Sequence, residues 1–132
     1  MKKRILVIDD EELLTKTFAR LLEKKNYEVL VASRSEDALV MAEEEDFDLV
    51  LCDIRMPGKN GVETVSEIQS LIQKRGKSRV PIIFLTGYAD EKVEREAQAL
   101  NPAAYIYKPF DTPRLIEAIE SSLQKAEGRS EF

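Results

Sequence analysis

Five short apolar runs alternate along the chain with stretches whose apolar positions recur every three or four residues. The runs predict strands over Ile5–Asp9, Tyr27–Ala32, Asp48–Cys52, Ile82–Thr86 and Ala104–Tyr107. The first, third and fourth are almost continuously apolar, as parallel strands covered on both faces should be. Between them, four apolar stripes predict amphipathic helices: Leu14, Phe18, Leu21 and Leu22; Ala38, Met41 and Ala42; Val62, Val65, Ile68 and Ile72; and Leu115, Ile116, Ile119 and Leu123. Asp10, Ser35, Asn60, Asp90 and Thr112 stand where N-caps belong, and Pro113 takes a first-turn position. The stretch Asp90–Leu100 is different. Its apolar face holds only Val93, Ala97 and Leu100, among Glu91, Lys92, Glu94, Arg95 and Glu96, so it predicts a loosely held helix. The whole alternation predicts an α/β fold, a (βα)5 doubly wound parallel sheet with helices on both faces.

Sites in such folds lie beyond the carboxyl ends of the strands. Those ends carry Asp9 and Asp10, then Asp53, then Thr86, then Lys108; only the second strand ends blandly, at Ser33. Each residue alone has an ordinary structural role, as a helix cap, a strand stop, a turn former or a surface charge. Together those roles fail, because two carboxylates ~4 Å apart repel by roughly 4 kcal/mol at an effective dielectric of 20. Three of them need a cation, a proton or the lysine.

Composition narrows the chemistry. The chain has 132 residues, one domain's worth, with 43% hydrophobic and 34% charged residues. Its 20 Lys+Arg against 25 Asp+Glu give a net charge of −5, so no basic field draws it to nucleic acid. No apolar run approaches the ~18 residues of a membrane span, and the basic start runs through Ile5–Ile8 straight into Asp9 and Asp10, unlike a signal peptide. A cytoplasmic location is expected. There is no histidine and one cysteine, Cys52, which excludes an internal disulfide, Cys/His zinc sites and histidine-based catalysis. Cys52 precedes Asp53 in an apolar strand and reads as a small core residue. Oxygen ligands without sulfur or imidazole suit a hard cation, Mg²⁺ or Mn²⁺. With two carboxylates for the metal, a third is spare as a nucleophile, and aspartate can attack phosphorus to give an aspartyl phosphate. Lys108 would neutralise phosphoryl oxygens and Thr86 would donate a hydrogen bond to one.

Four segments carry a family resemblance: Ile-Asp-Asp at 8–10, Leu-Cys-Asp-Ile-Arg-Met-Pro-Gly at 51–58, Phe-Leu-Thr-Gly at 84–87 and Tyr-Ile-Tyr-Lys-Pro-Phe at 105–110. In this order and spacing they resemble the receiver (response regulator, CheY-like) domain of two-component signalling systems, from Lys3 to about Gln124. The resemblance implies strand order 2-1-3-4-5 and a receiver domain over 1–125. It implies Asp53 as phosphoacceptor and Mg²⁺ bound by Asp10, Asp53 and the Arg55 carbonyl, with Asp9 acting chiefly through a metal water. Thr86 and Lys108 would contact the phosphoryl group, and the bond before Pro109 would be cis. Tyr105 matches the family's switch aromatic, filling space freed when Thr86 moves inward. Tyr107 shares its strand parity and reads as ordinary packing. The implied donor is a histidine kinase or phosphotransfer protein. The implied readers are an output domain or partner on the face of the 90–100 helix, last strand and last helix, where a homodimer is also compatible. No direct nucleic-acid or membrane contact is expected, and the only catalysis expected is self-phosphorylation and self-dephosphorylation.

Three departures stand out. Arg55 and Tyr88, each two residues past a site residue, are bulky and non-acidic, so slow self-dephosphorylation is expected. The connection Gln73–Val80 is long for the family and carries Lys74, Arg75, Lys77 and Arg79, best read as cations at a helix end. Residues 126–132 read as a linker or expression remnant. Two other readings compete: a haloacid-dehalogenase-like phosphohydrolase and a phosphorylation-independent interaction module. The first needs Asp-x-Asp after the first strand, whereas the nucleophile strand of this chain reads Asp53-Ile54-Arg55; the second usually loses one of the residues retained here.

Overall fold

The computed structural model describes residues 2–56, 59–87 and 91–130, the last three by backbone alone. Strands and helices alternate as β1 (Arg4–Ile8), α1 (Glu12–Lys24), β2 (Glu28–Ala32), α2 (Ser35–Glu44), β3 (Leu49–Asp53), α3 (Gly61–Lys74), β4 (Ile82–Thr86), α4 (Glu91–Ala99), β5 (Ala104–Tyr107) and α5 (Thr112–Ser130). All pairings are parallel and the order is β2-β1-β3-β4-β5. This is the doubly wound fold that the alternation predicts.

Side chains alternate across each strand, so the sheet divides the core into two layers. Leu6, Ile8, Val50, Cys52, Ile82 and Phe84 meet α2, α3 and α4 through Ala38, Ala42, Val65, Ile68, Ile72 and Ala97. Ile5, Val7, Leu49, Leu51, Ile83, Leu85 and Ile106 meet α1 and α5 through Phe18, Leu22, Leu115, Ile119 and Leu123. Every residue of β3 and β4 is buried, which explains their near-continuous apolar sequence. Among the described residues of α4 only Ala97 is fully buried, in keeping with its thin apolar face.

The predicted caps hold in part. Asn60 caps α3, accepting the Glu63 N–H at 2.9 Å. Ser35 does not cap α2: Arg34 occupies that position, and the Ser35 hydroxyl instead meets Thr64 Oγ1 at 2.8 Å in the buried α2–α3 contact. At α5 the cap is Asp111, which accepts the Arg114 N–H at 2.9 Å, rather than Thr112. Glu11 stands at the N-cap of α1 in place of Asp10, without a side-chain capping bond. Asp90 lies outside the described residues. Helix α5 continues through Ser130, past the domain end expected at 125.

The basic connection after α3 is held by the fold. Arg75 donates to the carbonyls of Ala42 and Glu45 at 3.1 and 2.8 Å and pairs with Asp46 at 3.0 Å. Lys77 also reaches Asp46, and Arg79 donates to the Leu100 carbonyl. These side chains tie loops together, as cations near a helix end do.

Candidate functional site

The strands deliver their polar ends to one rim. Asp9 follows β1 and its N–H donates to the Ala32 carbonyl, so the residue is fixed between two strands. It is 1% exposed, with Oδ1 accepting the Glu11 N–H at 2.9 Å. Asp10 beside it is exposed. Asp53 is the last residue of β3, one position beyond the predicted end of that strand, and is 4% exposed. Its Oδ1 accepts the Arg55 N–H at 3.1 Å, and its Oδ2 accepts from Lys108 Nζ at 3.2 Å. Lys108 follows β5 and is anchored by its own N–H on the Thr86 carbonyl at 2.8 Å. The Lys108–Pro109 peptide is cis. Arg55 itself is exposed; Tyr88 lies outside the described residues.

One carboxylate oxygen each from Asp9, Asp10 and Asp53 lies within 4.8 Å of the others. At that spacing a pair of charges repels by about 3 kcal/mol at an effective dielectric of 20. Burial pushes the Asp9 carboxyl above the ordinary aspartate range, against the opposing pull of the Glu11 N–H and Lys108. For Lys108, burial favours the neutral amine, but Asp9, Asp53 and Glu11 outweigh it and leave the ammonium more basic than an ordinary lysine. The second oxygen of Asp9, Oδ2, is buried without a hydrogen-bond partner among the described residues, and Lys108 Nζ lies 3.6 Å from it. A buried carboxylate oxygen without a donor, beside two further carboxylates, is the environment a hard divalent cation satisfies. The residues present therefore fit a metal ion, with Asp9, Asp10 and Asp53 as candidate ligands.

The other side of the rim leads to α4. Thr86 is fully buried at the end of β4, and among the described residues its hydroxyl has no partner of full hydrogen-bonding geometry. Thr86 pairs in register with Tyr107. The Tyr105 ring packs against Phe84, centroids 6.3 Å apart, and against Tyr107 at 5.2 Å. The Tyr105 hydroxyl is likewise buried and without a partner of hydrogen-bonding geometry. Burial raises its pKa first and the Glu94 charge second, while the nearby Thr86 hydroxyl opposes them. Tyr107, read from sequence as ordinary packing, is instead exposed and donates its hydroxyl to Glu94 on α4, which raises the phenol's pKa.

Two neighbours of the rim were not legible as site residues. Glu11 places Oε1 3.8 Å from Lys108 Nζ. Gly61 opens α3 directly against β3: a Cβ there would lie 2.3 Å from the Asp53 carbonyl oxygen. The glycine after the cap Asn60 was a usable signal for close packing; nothing local marked Glu11. Cys52 is buried in the core as expected, its thiol 3.3 Å from the Asp53 carbonyl and its pKa raised by burial.

Comparison with known proteins places the chain in a family. Residues 5–120 match the family model described as the response regulator receiver domain. The chain is 33% identical over 126 residues to the polar-differentiation response regulator DivK of Brucella ovis, covering 96% of this chain and 100% of that protein. It is 32% identical over 124 residues to the transcriptional regulatory protein PdtaR of Mycobacterium tuberculosis, covering 93% of this chain but only 58% of that relative. The crystal structure of a CheY-like response regulator receiver domain protein from Methanospirillum hungatei JF-1 superposes with a TM-score of 0.89 at 30% identity, covering 98% of this chain and 99% of that one. With this match and the strand order in agreement, the chain belongs to the response regulator receiver domain family of two-component systems.

Proposed function

We propose that Asp53 accepts a phosphoryl group from a phosphohistidine on a histidine kinase or phosphotransfer protein. The observation that carries this reading is the setting of Asp53: a nearly buried carboxylate at a strand end, one oxygen on Lys108 and the other on the Arg55 N–H, beside Asp9 and Asp10. A carboxylate oxygen attacks phosphorus, a P–O bond forms, and the P–N bond breaks with its electron pair returning to the imidazole nitrogen. The Lys108 ammonium lies where it offsets negative charge on the phosphoryl oxygens. Asp9, Asp10, Asp53 and the Arg55 carbonyl would hold Mg²⁺, or Mn²⁺, which when bound supplies further neutralisation of the phosphoryl charge. The donor imidazole comes from another segment or chain, because these 132 residues contain no histidine.

The modified state is read on the α4–β5–α5 face by an output domain, a partner protein or a second copy. Thr86 supplies the link: its buried, unpartnered hydroxyl turns to a phosphoryl oxygen, and Tyr105 follows into the space left. The setting is cytoplasmic. Arg55 and Tyr88 slow hydrolysis of the acyl phosphate by obstructing water, so Arg55→Ala with Tyr88→Ala accelerates phosphate release; an unchanged rate refutes this role.

The central test is intact-mass measurement with a small phosphodonor and Mg²⁺. The native chain gains one phosphoryl group and Asp53→Asn gains none; no gain in the native chain, or an equal gain in both, overturns the reading.

A further inference from the structure

The Lys108 ammonium stands among three carboxylates: Asp53 Oδ2 at 3.2 Å, Asp9 Oδ2 at 3.6 Å and Glu11 Oε1 at 3.8 Å. The first two side chains are almost completely buried, 6% and 1% exposed, whereas that of Glu11 is 64% exposed. Of the three carboxylates around Lys108, Glu11 is thus the one that faces solvent, beside the exposed Asp10. The ammonium it shares keeps it within about 7 Å of the Asp53 oxygen, a range at which charges still act through water. Its backbone is fixed independently of its side chain, since the Glu11 N–H is the donor to Asp9 Oδ1.

We propose that Glu11 is a specificity-determining residue of this site, discriminating among phosphodonors by their net charge. The inference rests on Asp53 being the phosphoryl acceptor. A donor approaching Asp53 meets the Glu11 charge before it reaches Lys108, and Glu11 also draws on the field of the ammonium that would receive the donor's oxygens. Each additional negative charge on the donor, met about 7 Å away, lowers the approach rate about threefold at the dielectric of water. The factor grows where the rim sheds solvent. A dianionic small donor is therefore disfavoured relative to a monoanionic one.

The test compares acetyl phosphate, a dianion at neutral pH, with phosphoramidate, a monoanion, in the presence of Mg²⁺. The ratio of their second-order rate constants, acetyl phosphate over phosphoramidate, rises about threefold in Glu11→Gln. Glu11→Asp, which keeps the charge, retains the native ratio. In about 1 M salt, where the screening length falls to about 3 Å, Glu11→Gln and the native chain converge. A change in folding or backbone position moves both donors alike, so it leaves the ratio unmoved. An unchanged ratio in Glu11→Gln, a Glu11→Asp ratio matching Glu11→Gln, or a difference that survives high salt overturns the proposal. If neither donor modifies the native chain, the acceptor reading itself falls, and Mg²⁺ titration followed by NMR then reads the charge directly. Mg²⁺ carries two charges, so by the same arithmetic Glu11→Gln weakens it about sevenfold, and equal affinities overturn the role of Glu11.

Discussion

Replacing Gly61 with alanine drives one methyl group into the backbone that carries Asp53. The added Cβ would lie 2.3 Å from the Asp53 carbonyl oxygen and 3.0 Å from both Cys52 Sγ and Ile54 Cα. Two of those atoms are backbone, so no side-chain rotation relieves the clash. The start of α3 must retreat by about 1 Å, and overpacking of that kind costs about 1–3 kcal/mol. The retreat also stretches the bond from the Gly61 N–H to the Ile54 carbonyl, now 2.9 Å, at a further cost of about 1 kcal/mol. The sum, about 2–4 kcal/mol, corresponds to a fall in Tm of roughly 6–15 °C for a domain of this size. Urea unfolding of the purified chain gives the number, read as a lower midpoint at unchanged slope. Gly87→Ala is the matched control, since among the described residues its Cβ would meet only Lys108 Cβ and Cδ at 3.9 Å, an ordinary contact. That variant stays within about 0.5 kcal/mol of native. A Gly61→Ala protein as stable as Gly87→Ala would refute the reasoning. Because the strain falls on the Asp53 peptide, a displacement of about 1 Å also lowers phosphodonor reactivity by up to roughly 10²-fold.

Three further outcomes follow from the same contacts. Asp9→Asn raises stability at pH 7, by up to the roughly 3 kcal/mol of one like-charge pair, and a urea midpoint at or below native contradicts this. The raised carboxyl pKa of Asp9 means the folded chain holds that proton more tightly than the unfolded one, so its ionisation costs stability. That cost shrinks as pH falls from neutral through the folded value, and the pH dependence is missing from Asp9→Asn. Lys108 contributes in the opposite region: its raised pKa gives stability that is complete below the ordinary lysine value of 10.5 and lost as pH rises through the folded one. Alkaline unfolding of Lys108→Met should lack that component, and identical native and variant curves above pH 10.5 would dismiss it. Tyr107→Phe removes the hydroxyl that reaches Glu94 and leaves the ring, so amide exchange across 91–99 quickens while exchange in β4 is unaltered; unchanged protection of α4 would show that the bond restrains nothing.

Strand β4 was legible to the residue because its apolar run is bounded by Pro81 and Gly87. The ends of β1 and β3 were each misplaced by one position. Asp9 leaves the ladder to serve the rim, whereas Asp48 uses its carboxylate to accept the Arg4 N–H at 2.7 Å before β3 begins. Asp48 answers to Arg4 and Asp9 faces Lys108, both distant in sequence, which a local pattern does not contain. The same limit explains the caps: a serine at 35 is equally suited to a helix start and to its bond with Thr64, and tertiary packing chose the latter. The rim residues were legible because parallel strands must present their carboxyl ends together. Glu11 and the Tyr107–Glu94 bond were not, since each depends on a side chain reaching an element several connections away.

Helix α4 has a thermodynamic consequence beyond its place on a face. Moving a two-state element from 1:99 to 99:1 takes about 5.5 kcal/mol of differential interaction. An element set down by many buried side chains would resist a change of that size. Resting on Ala97, with Val93 and Leu100 only partly covered, α4 has little apolar area to surrender when it shifts. A single new hydrogen bond to a charged group, worth about 1.5–3 kcal/mol, is then a large fraction of what displacement requires. Under the proposed function, the sparse apolar face of α4 would set the gain of the molecule: it would determine how far a change confined to a few oxygens at the rim is amplified into a change of shape.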